Sequence, residues 1–458
     1  MALLPKKGDL LSLSNYRPIS LIDTDTKTFT RLINSRLMSL FSSRISLSQM
    51  GFMPNRFIGE QGRLVHLAQL HAQTYNSNAI GLCLDQQKAY DRVHPEYMKH
   101  ILIRFGIPNN ILNIISNLFF SSRVHINING HITDPFIASR GLRQGDPLSP
   151  LLFNIAFDPF LRLVSQDLSF QGFSFSLPPP LLSPSPIPPP IKILAYADDA
   201  LVLLNTQSDF IRLQNHLQTY CQASNATLNI TKTEAFPLSG IADPQWKSFL
   251  QPYNISQWYD HKSFSPLRYL GYPVFFSTSQ KTVFFDKPLQ TITTSCQIHS
   301  QRQLSIRGRV TVLNTLILSR LWHVLRLFPL TNQQLAKLKS IISNFINQSC
   351  FPRISFFTMT SPLDIGGLGI LNPQHQIHKI QWHWLCPLLL PSSSDLQDTI
   401  STRVSIPYSQ YILDYHSCVA LPPLQPPSYI WPLLFPSCRP SILTRNIFFY
   451  LFLPFSPL

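Results

Sequence analysis

The stretch IKILAYADDALVLL, residues 191–204, decides how the rest of the chain is read. Ile191 to Tyr196 and Ala200 to Leu204 are short apolar runs of strand character, and Asp198 and Asp199 stand between them as a two-residue acidic hairpin tip. Adjacent carboxylates in such a place repel each other and lose hydration, whereas a turn with only structural duties more readily uses Asn-Gly. A hard divalent cation relieves both costs. Mg²⁺ takes oxygen ligands and commonly uses one or two carboxylates plus substrate phosphates, so the pair suits metal-assisted phosphoryl transfer. A third acid is expected from another strand at the same sheet edge. Asp85 supplies it, closing the apolar run AIGLCL over residues 79–84.

Around this centre the patterning alternates between strand and helix. Pro95 to Phe105 and Phe210 to Tyr220 have helical spacing. Val124 to Ile128 alternates polar and apolar residues and runs into Asn129-Gly130, a strong hairpin signal. Strand, helix, hairpin, helix, strand is a ferredoxin-like order, which places the chain in the α/β (α+β) class. From Arg302 to Phe328 the chain carries Arg302, Arg307, Arg309, Arg320 and Arg326 without one acid, while Val310, Leu313, Ile317, Leu321 and Val324 make an apolar stripe. That pattern predicts a basic amphipathic helix.

Composition narrows the partner. The 458 residues hold 37 Lys and Arg against 22 Asp and Glu, a formal net charge of +15, and +12 of it lies in the first 330 residues. Such an excess points to an anionic polymer. The seven cysteines are odd in number and never closer than 20 residues, so neither a disulfide framework nor a CxxC zinc site is legible, and a reducing compartment is expected. His375, His378, His383 and Cys386 fit no standard zinc spacing either. The start of the chain lacks the apolar core of a signal peptide, and every long apolar run is broken before spanning length. The 39 prolines cluster in LPPPLLSPSPIPPP (residues 177–190) and again from residue 407 onward, so neither region is expected to form regular elements.

Six ordered segments carry a family resemblance. They are NYRPISL (Asn15 to Leu21), LDQQKAYDRV (Leu84 to Val93), GLRQGDPLSPLLFNI (Gly141 to Ile155), AYADDALVL (Ala195 to Leu203), LNITKTE (Leu228 to Glu234) and YLGYP (Tyr269 to Pro273). Together they closely resemble the reverse transcriptase of non-LTR, LINE-type retrotransposons over residues 3–275, and more weakly through IGGLGILNP (Ile365 to Pro373). The resemblance implies a right-hand polymerase with fingers, a ferredoxin-like palm and a helical thumb. Fingers and palm would interleave over residues 1–275 around the Pro-rich insertion 177–190, a basic thumb would follow over 276–350, and 351–458 would be a C-terminal tail of uncertain order.

Carried over position by position, the family's metal-binding acids fall on Asp85, Asp198 and Asp199, the three that charge and strand pattern single out. They would hold two Mg²⁺ ions, with Mn²⁺ as a substitute. Tyr90 matches the aromatic steric gate that excludes a ribonucleotide 2′-hydroxyl. Arg17 and Lys27 match basic positions that clamp the incoming triphosphate or contact the template backbone, since both chemistries bind phosphate. Gln144 and Gly145 match the loop that meets the nascent pair or template, and Lys232 matches a basic residue able to protonate departing pyrophosphate. Asp91 is read as structural. Gln86 and Gln87 depart from the family pattern without removing an expected ligand.

The resemblance therefore implies an RNA-directed DNA polymerase acting on an RNA template, a DNA primer, the RNA–DNA duplex and dNTPs, in nucleus or cytoplasm and without a membrane. Because the chain starts near the fingers motif, endonuclease activity is expected to come from another protein. The runner-up is a truncated, inactive remnant that binds RNA or RNA–DNA duplex.

Overall fold

The structure is a computed structural model that describes residues 1–6, 9–120, 122–175, 189–348 and 350–389. Most of the Pro-rich insertion and all of the chain beyond residue 389 lie outside these residues. The described residues divide into two compact units: those within 1–61, 68–174 and 189–259 form the first, and those within 62–67 and 260–389, with residue 175, form the second.

At the centre of the first unit is a five-stranded sheet. Its spatial order is Gln257–Trp258, Glu234–Pro237, Ile80–Leu84, Asp199–Leu204 and Ile193–Tyr196. The central strand reads IGLCL and pairs antiparallel on both sides, with Leu84 opposite Ala200 and Cys83 opposite Glu234. Strand residues alternate between faces, so cross-strand partners share a face. Leu82, Leu84, Val202, Leu204, Ile193 and Ala195 join the main core with the helices Ser149–Gln166 and Gln207–Ser224. Gly81 lies in the other set, where a Cβ would come within 2.3 Å of the Phe236 ring.

Both helices are set by readable local chemistry. Ser149–Gln166 has Pro at its first turn, and Asp146 Oδ1 accepts from the Leu148 amide at 2.9 Å just before it. Phe153, Phe157 and Phe160 run along it and stack in series. A capping box of Thr206 and Asp209 starts Gln207–Ser224, and Asn225 ends it at φ +64°. Arg56 locks the base of the neighbouring helix Thr24–Phe41, donating to the carbonyls of Ser42, Ile45, Ser46 and Gln49 at 2.5–2.9 Å.

Two expectations need correction. Val124 to Ile128 is not one strand: Ser122–Val124 pairs with Phe136–Ala138, while Asn127–Ile128 pairs with His131–Ile132 across the Asn129-Gly130 turn. The hairpin stands, but its first strand is divided between two partners. In the second unit the basic helix begins after Arg302. Ser305 caps Ile306–Val312, a π turn spans Leu313–Ile317, and Ser319–Leu325 continues. Asn314 explains the π turn, because its side chain bonds the Gly369 carbonyl and the Leu371 amide, both at 3.0 Å. Arg309 is structural, donating to the carbonyls of Ile346 and Gln348. Arg302, Arg307 and Arg320 remain exposed.

Helix Thr278–Ser300 precedes this segment and Asn332–Ile346 follows it, capped by Thr331 and Gln334. Among the described residues no helix is long and apolar enough to cross a membrane.

Candidate active site

The strand register builds the acidic centre. Tyr196 pairs with Asp199, leaving Ala197 and Asp198 as the hairpin tip, so the expected tip is shifted by one residue and Asp199 opens the strand Asp199–Leu204. Ala197 takes φ +55°, which lets a two-residue turn reverse the chain. One rung beyond Leu84 and Ala200, Asp85 comes level with Asp199 on the face that also carries Cys83 and Glu234.

Electrostatics reflects this convergence. Burial raises the carboxyls of all three acids above the ordinary range. Asp199 keeps solvent contact at the sheet end, yet the protein packed around it and the charges of Asp198 and Asp85 push it up to about 6. Asp85 also raises Asp198, while Arg17 opposes that shift. At Asp85 the opposing influences are Lys232, a hydrogen bond from Asn229 and Lys6. Among the described residues no three His, Cys, Asp or Glu side chains already stand close enough to enclose an ion. The acids are neighbours that repel one another, and additional oxygen ligands would have to complete any shell.

The remaining candidates divide into two groups. Lys232, in the short turn Ile230–Lys232, and Arg17, on the strand Tyr16–Ile19, both act on the acids. Tyr90 stands beside Asp198, and its ring stacks on Phe153 at 4.6 Å with an interplanar angle of 14°. Lys27 instead acts on Asp146, together with Arg143. The Gln144 carbonyl accepts from the Ser20 amide at 2.8 Å, and Gly145 takes φ +107°, where a Cβ would meet the Ser20 carbonyl at 2.9 Å. Gly141 takes φ +88° with its Cβ position 2.7 Å from the Asp91 carbonyl, and Leu142 N donates to Tyr90 O at 2.7 Å. The Gly-rich loop is thus fastened both to Ser20 and to the turn that carries Tyr90 and Asp91.

Sequence reasoning passed over two neighbours of the acids. Asn229 holds Asp85 twice: its amide donates to the Asp85 carbonyl at 2.8 Å and its side chain bonds the carboxylate. It lies inside LNITKTE, where the basic residue drew attention. Glu234 shares the face of Asp85 and is raised by burial and by Asp85, with Tyr259 hydrogen-bonded to it. Strand alternation could have found it once the pairing was known.

Residues 4–274 match the protein-family model described as reverse transcriptase (RNA-dependent DNA polymerase). The transposon TX1 uncharacterized 149 kDa protein of Xenopus laevis is 29% identical over 386 residues, covering 82% of this chain and 28% of that protein. A retrovirus-related Pol polyprotein from a type-2 retrotransposable element of Drosophila melanogaster is 23% identical over 398 residues, covering 84% of this chain and 34% of that protein. Among solved structures, telomerase from Candida tropicalis in complex with a fragment of telomeric RNA aligns with a TM-score of 0.39 at 10% identity, over 85% of this chain and 57% of that chain. The chain spans about a third or less of the length of these curated relatives.

Proposed function

The chain belongs to the reverse transcriptase (RNA-dependent DNA polymerase) family, with relatives in non-LTR retrotransposons, and from that premise we propose that it extends a DNA primer on an RNA template. In the reaction the primer 3′-hydroxyl oxygen bonds to the α-phosphorus of a dNTP, the bond to the β-phosphate bridge breaks, and pyrophosphate leaves. The observation that carries this reading is the meeting of Asp85, Asp198 and Asp199 at one end of the sheet.

The donor set fits a hard cation, being all carboxylate oxygen with a mutual repulsion that a cation would relieve. Asp85, Asp198 and Asp199 would hold Mg²⁺, or Mn²⁺ in its place, with phosphate oxygens and water as further ligands. Bound there, the ions would supply charge neutralisation and a more acidic 3′-hydroxyl.

The chain's own residues supply position. Asn229 aims Asp85, and Arg17, near Asp198, offers a guanidinium to the triphosphate. Lys27, close to Asp146, offers a second cation for triphosphate or template phosphate. Tyr90, braced by Phe153, would pack beneath the sugar and exclude a 2′-hydroxyl. Gln144 and Gly145 would meet the nascent pair, the glycine allowing close backbone approach. Lys232 could give a proton to pyrophosphate, at the cost of its attraction to Asp85.

Residues 1–275 would serve as fingers and palm and 276–350 as thumb, with exposed Arg302, Arg307 and Arg320 facing phosphates. Intracellular work on RNA completes the proposal.

The test is primer extension on an RNA template with Mg²⁺, using purified wild type and Asp198→Ala in parallel. Extension by wild type alone is expected. If neither protein extends while both bind the RNA–DNA duplex, the chain is a binding remnant and the catalytic reading fails.

A further inference from the structure

The hairpin tip is held by a side chain from a distant part of the sequence. Gln49 is fully buried, and its Oε1 accepts from the Ala197 amide at 2.7 Å and from the Gly51 amide at 2.9 Å. Its Nε2 donates to the Ala197 carbonyl at 3.1 Å. One side-chain amide therefore takes both polar groups of the residue immediately before Asp198, with acceptor and donor each facing the complementary backbone group.

That residue is where the hairpin needs holding. Ala197 sits at φ +55°, a left-handed conformation that an alanine adopts only when its surroundings impose it. The surroundings here form a connected set. Ala195 N donates to Ser48 O and Met50 N donates to Ala195 O, both at 2.8 Å, while Gln61 Nε2 reaches Ala195 O at 2.8 Å. Asn154, on the central helix, donates to Gly51 O at 2.6 Å. At Gly51 a Cβ would stand 2.3 Å from Ala197 N, so a glycine is required for the two backbones to approach this closely.

We propose that Gln49 is a positioning residue for polymerisation, clamping the Ala197 peptide so that Asp198 leaves the hairpin in the direction the metal site needs. The inference rests on the reading of Asp198 as a metal-binding acid. Gln49 touches no reacting atom; it acts through the backbone one residue away from the carboxylate. A buried glutamine can also be no more than a satisfied core residue, so the test must separate holding the tip from holding the fold.

The variant is Gln49→Met, which keeps an unbranched side chain and removes both the donor and the acceptor amide groups. Two readouts are made on the full chain: hydrogen exchange of the backbone amides over residues 195–199, and single-nucleotide incorporation with kcat, KM for dNTP and duplex Kd measured separately. The expected result is exchange faster by about ten-fold or more at the tip, since the Ala197 amide loses its acceptor. With it kcat should fall at least about ten-fold, while KM and duplex Kd stay within about two-fold.

Unchanged tip exchange in a folded variant overturns the inference. So does a released tip with kcat within about two-fold of wild type, or a fall in kcat matched by losses of dNTP and duplex binding. Should Gln49→Met not fold, Gln49→Leu removes the same donor and acceptor with a smaller apolar side chain. It is read by the same measurements, with the tip expected to exchange faster than in wild type because the Ala197 amide again loses its acceptor. Failure of both variants to fold would make Gln49 a core residue and end the proposal. An inactive wild type would sink the polymerase reading and the catalytic role with it, while the exchange measurement still decides whether Gln49 holds the tip.

Discussion

Acidification from pH 7 to pH 5 should unload the cation site through Asp199. Its carboxyl is pushed up to about 6 by burial and by the charges of Asp198 and Asp85. At that value the carboxylate is about 90% ionised at pH 7 and about 10% at pH 5, so a cation that needs it loses roughly ten-fold in apparent affinity, and less where salt screens the site. The assay is Mn²⁺ binding followed by the paramagnetic resonance of the free ion between pH 5 and 8. Asp199→Asn serves as the comparison and should bind weakly with the pH step flattened.

The stability sign runs the opposite way. A carboxyl raised above its unfolded value gives the folded state the greater proton uptake between about pH 4 and 6, so this group's contribution is present at low pH and is lost as the pH rises through about 6. Without metal, Asp199 should therefore favour the fold on mild acidification, and saturating Mn²⁺ should reverse that trend. Mn²⁺ affinity that stays level down to about pH 4, the ordinary carboxylate range, would refute the argument.

Replacing Tyr90 by Val should raise ribonucleotide incorporation relative to deoxynucleotide by at least about ten-fold in the ratio of kcat/KM values, and an unchanged ratio would remove Tyr90 from sugar selection. Asn229→Ala should lower kcat about ten-fold, because a hydrogen bond to a charged group is worth about 1.5–3 kcal/mol. Its melting temperature should move by only a few degrees, and full activity would show that Asp85 needs no such support. Arg56→Met should cost about 3 kcal/mol, because four carbonyls lose a charged donor at once. A urea midpoint equal to that of wild type would contradict it.

How much of this was legible depends on where each signal lies. Ile80–Leu84 could be read directly, because an uninterrupted apolar run ends at Asp85, and that ending placed the acid at a sheet edge. The other two acids were found by their cost in a turn. Their register was missed by one residue because Asp is a good turn former and Ala is not, yet Ala197 takes the left-handed position. What reverses that preference is Gln49, nearly 150 residues earlier in a stretch without periodicity. The π turn was hidden in the same way, since Asn314 makes it by bonding residues more than fifty positions downstream. Asn229 lies within LNITKTE, but only the isolated bridge of Leu228 to Gln86 brings it to Asp85. Local propensity and hydrophobic period were readable, and tertiary bonds that override them were not.

The pairing of Ser48–Met50 with Ala195 has a consequence outside the chemistry. An open sheet ends in unpaired amides and carbonyls that can recruit a further strand from another molecule. Here the outer side of Ile193–Tyr196 is already occupied at its midpoint by the bonds to Ser48 and Met50, and at the opposite margin Gln257–Trp258 is only two residues long. Neither margin of this sheet offers a long free template. For a chain with so many apolar residues and so few charges, that closure removes one route to self-association, and it does so with the same backbone bonds that fix the hairpin.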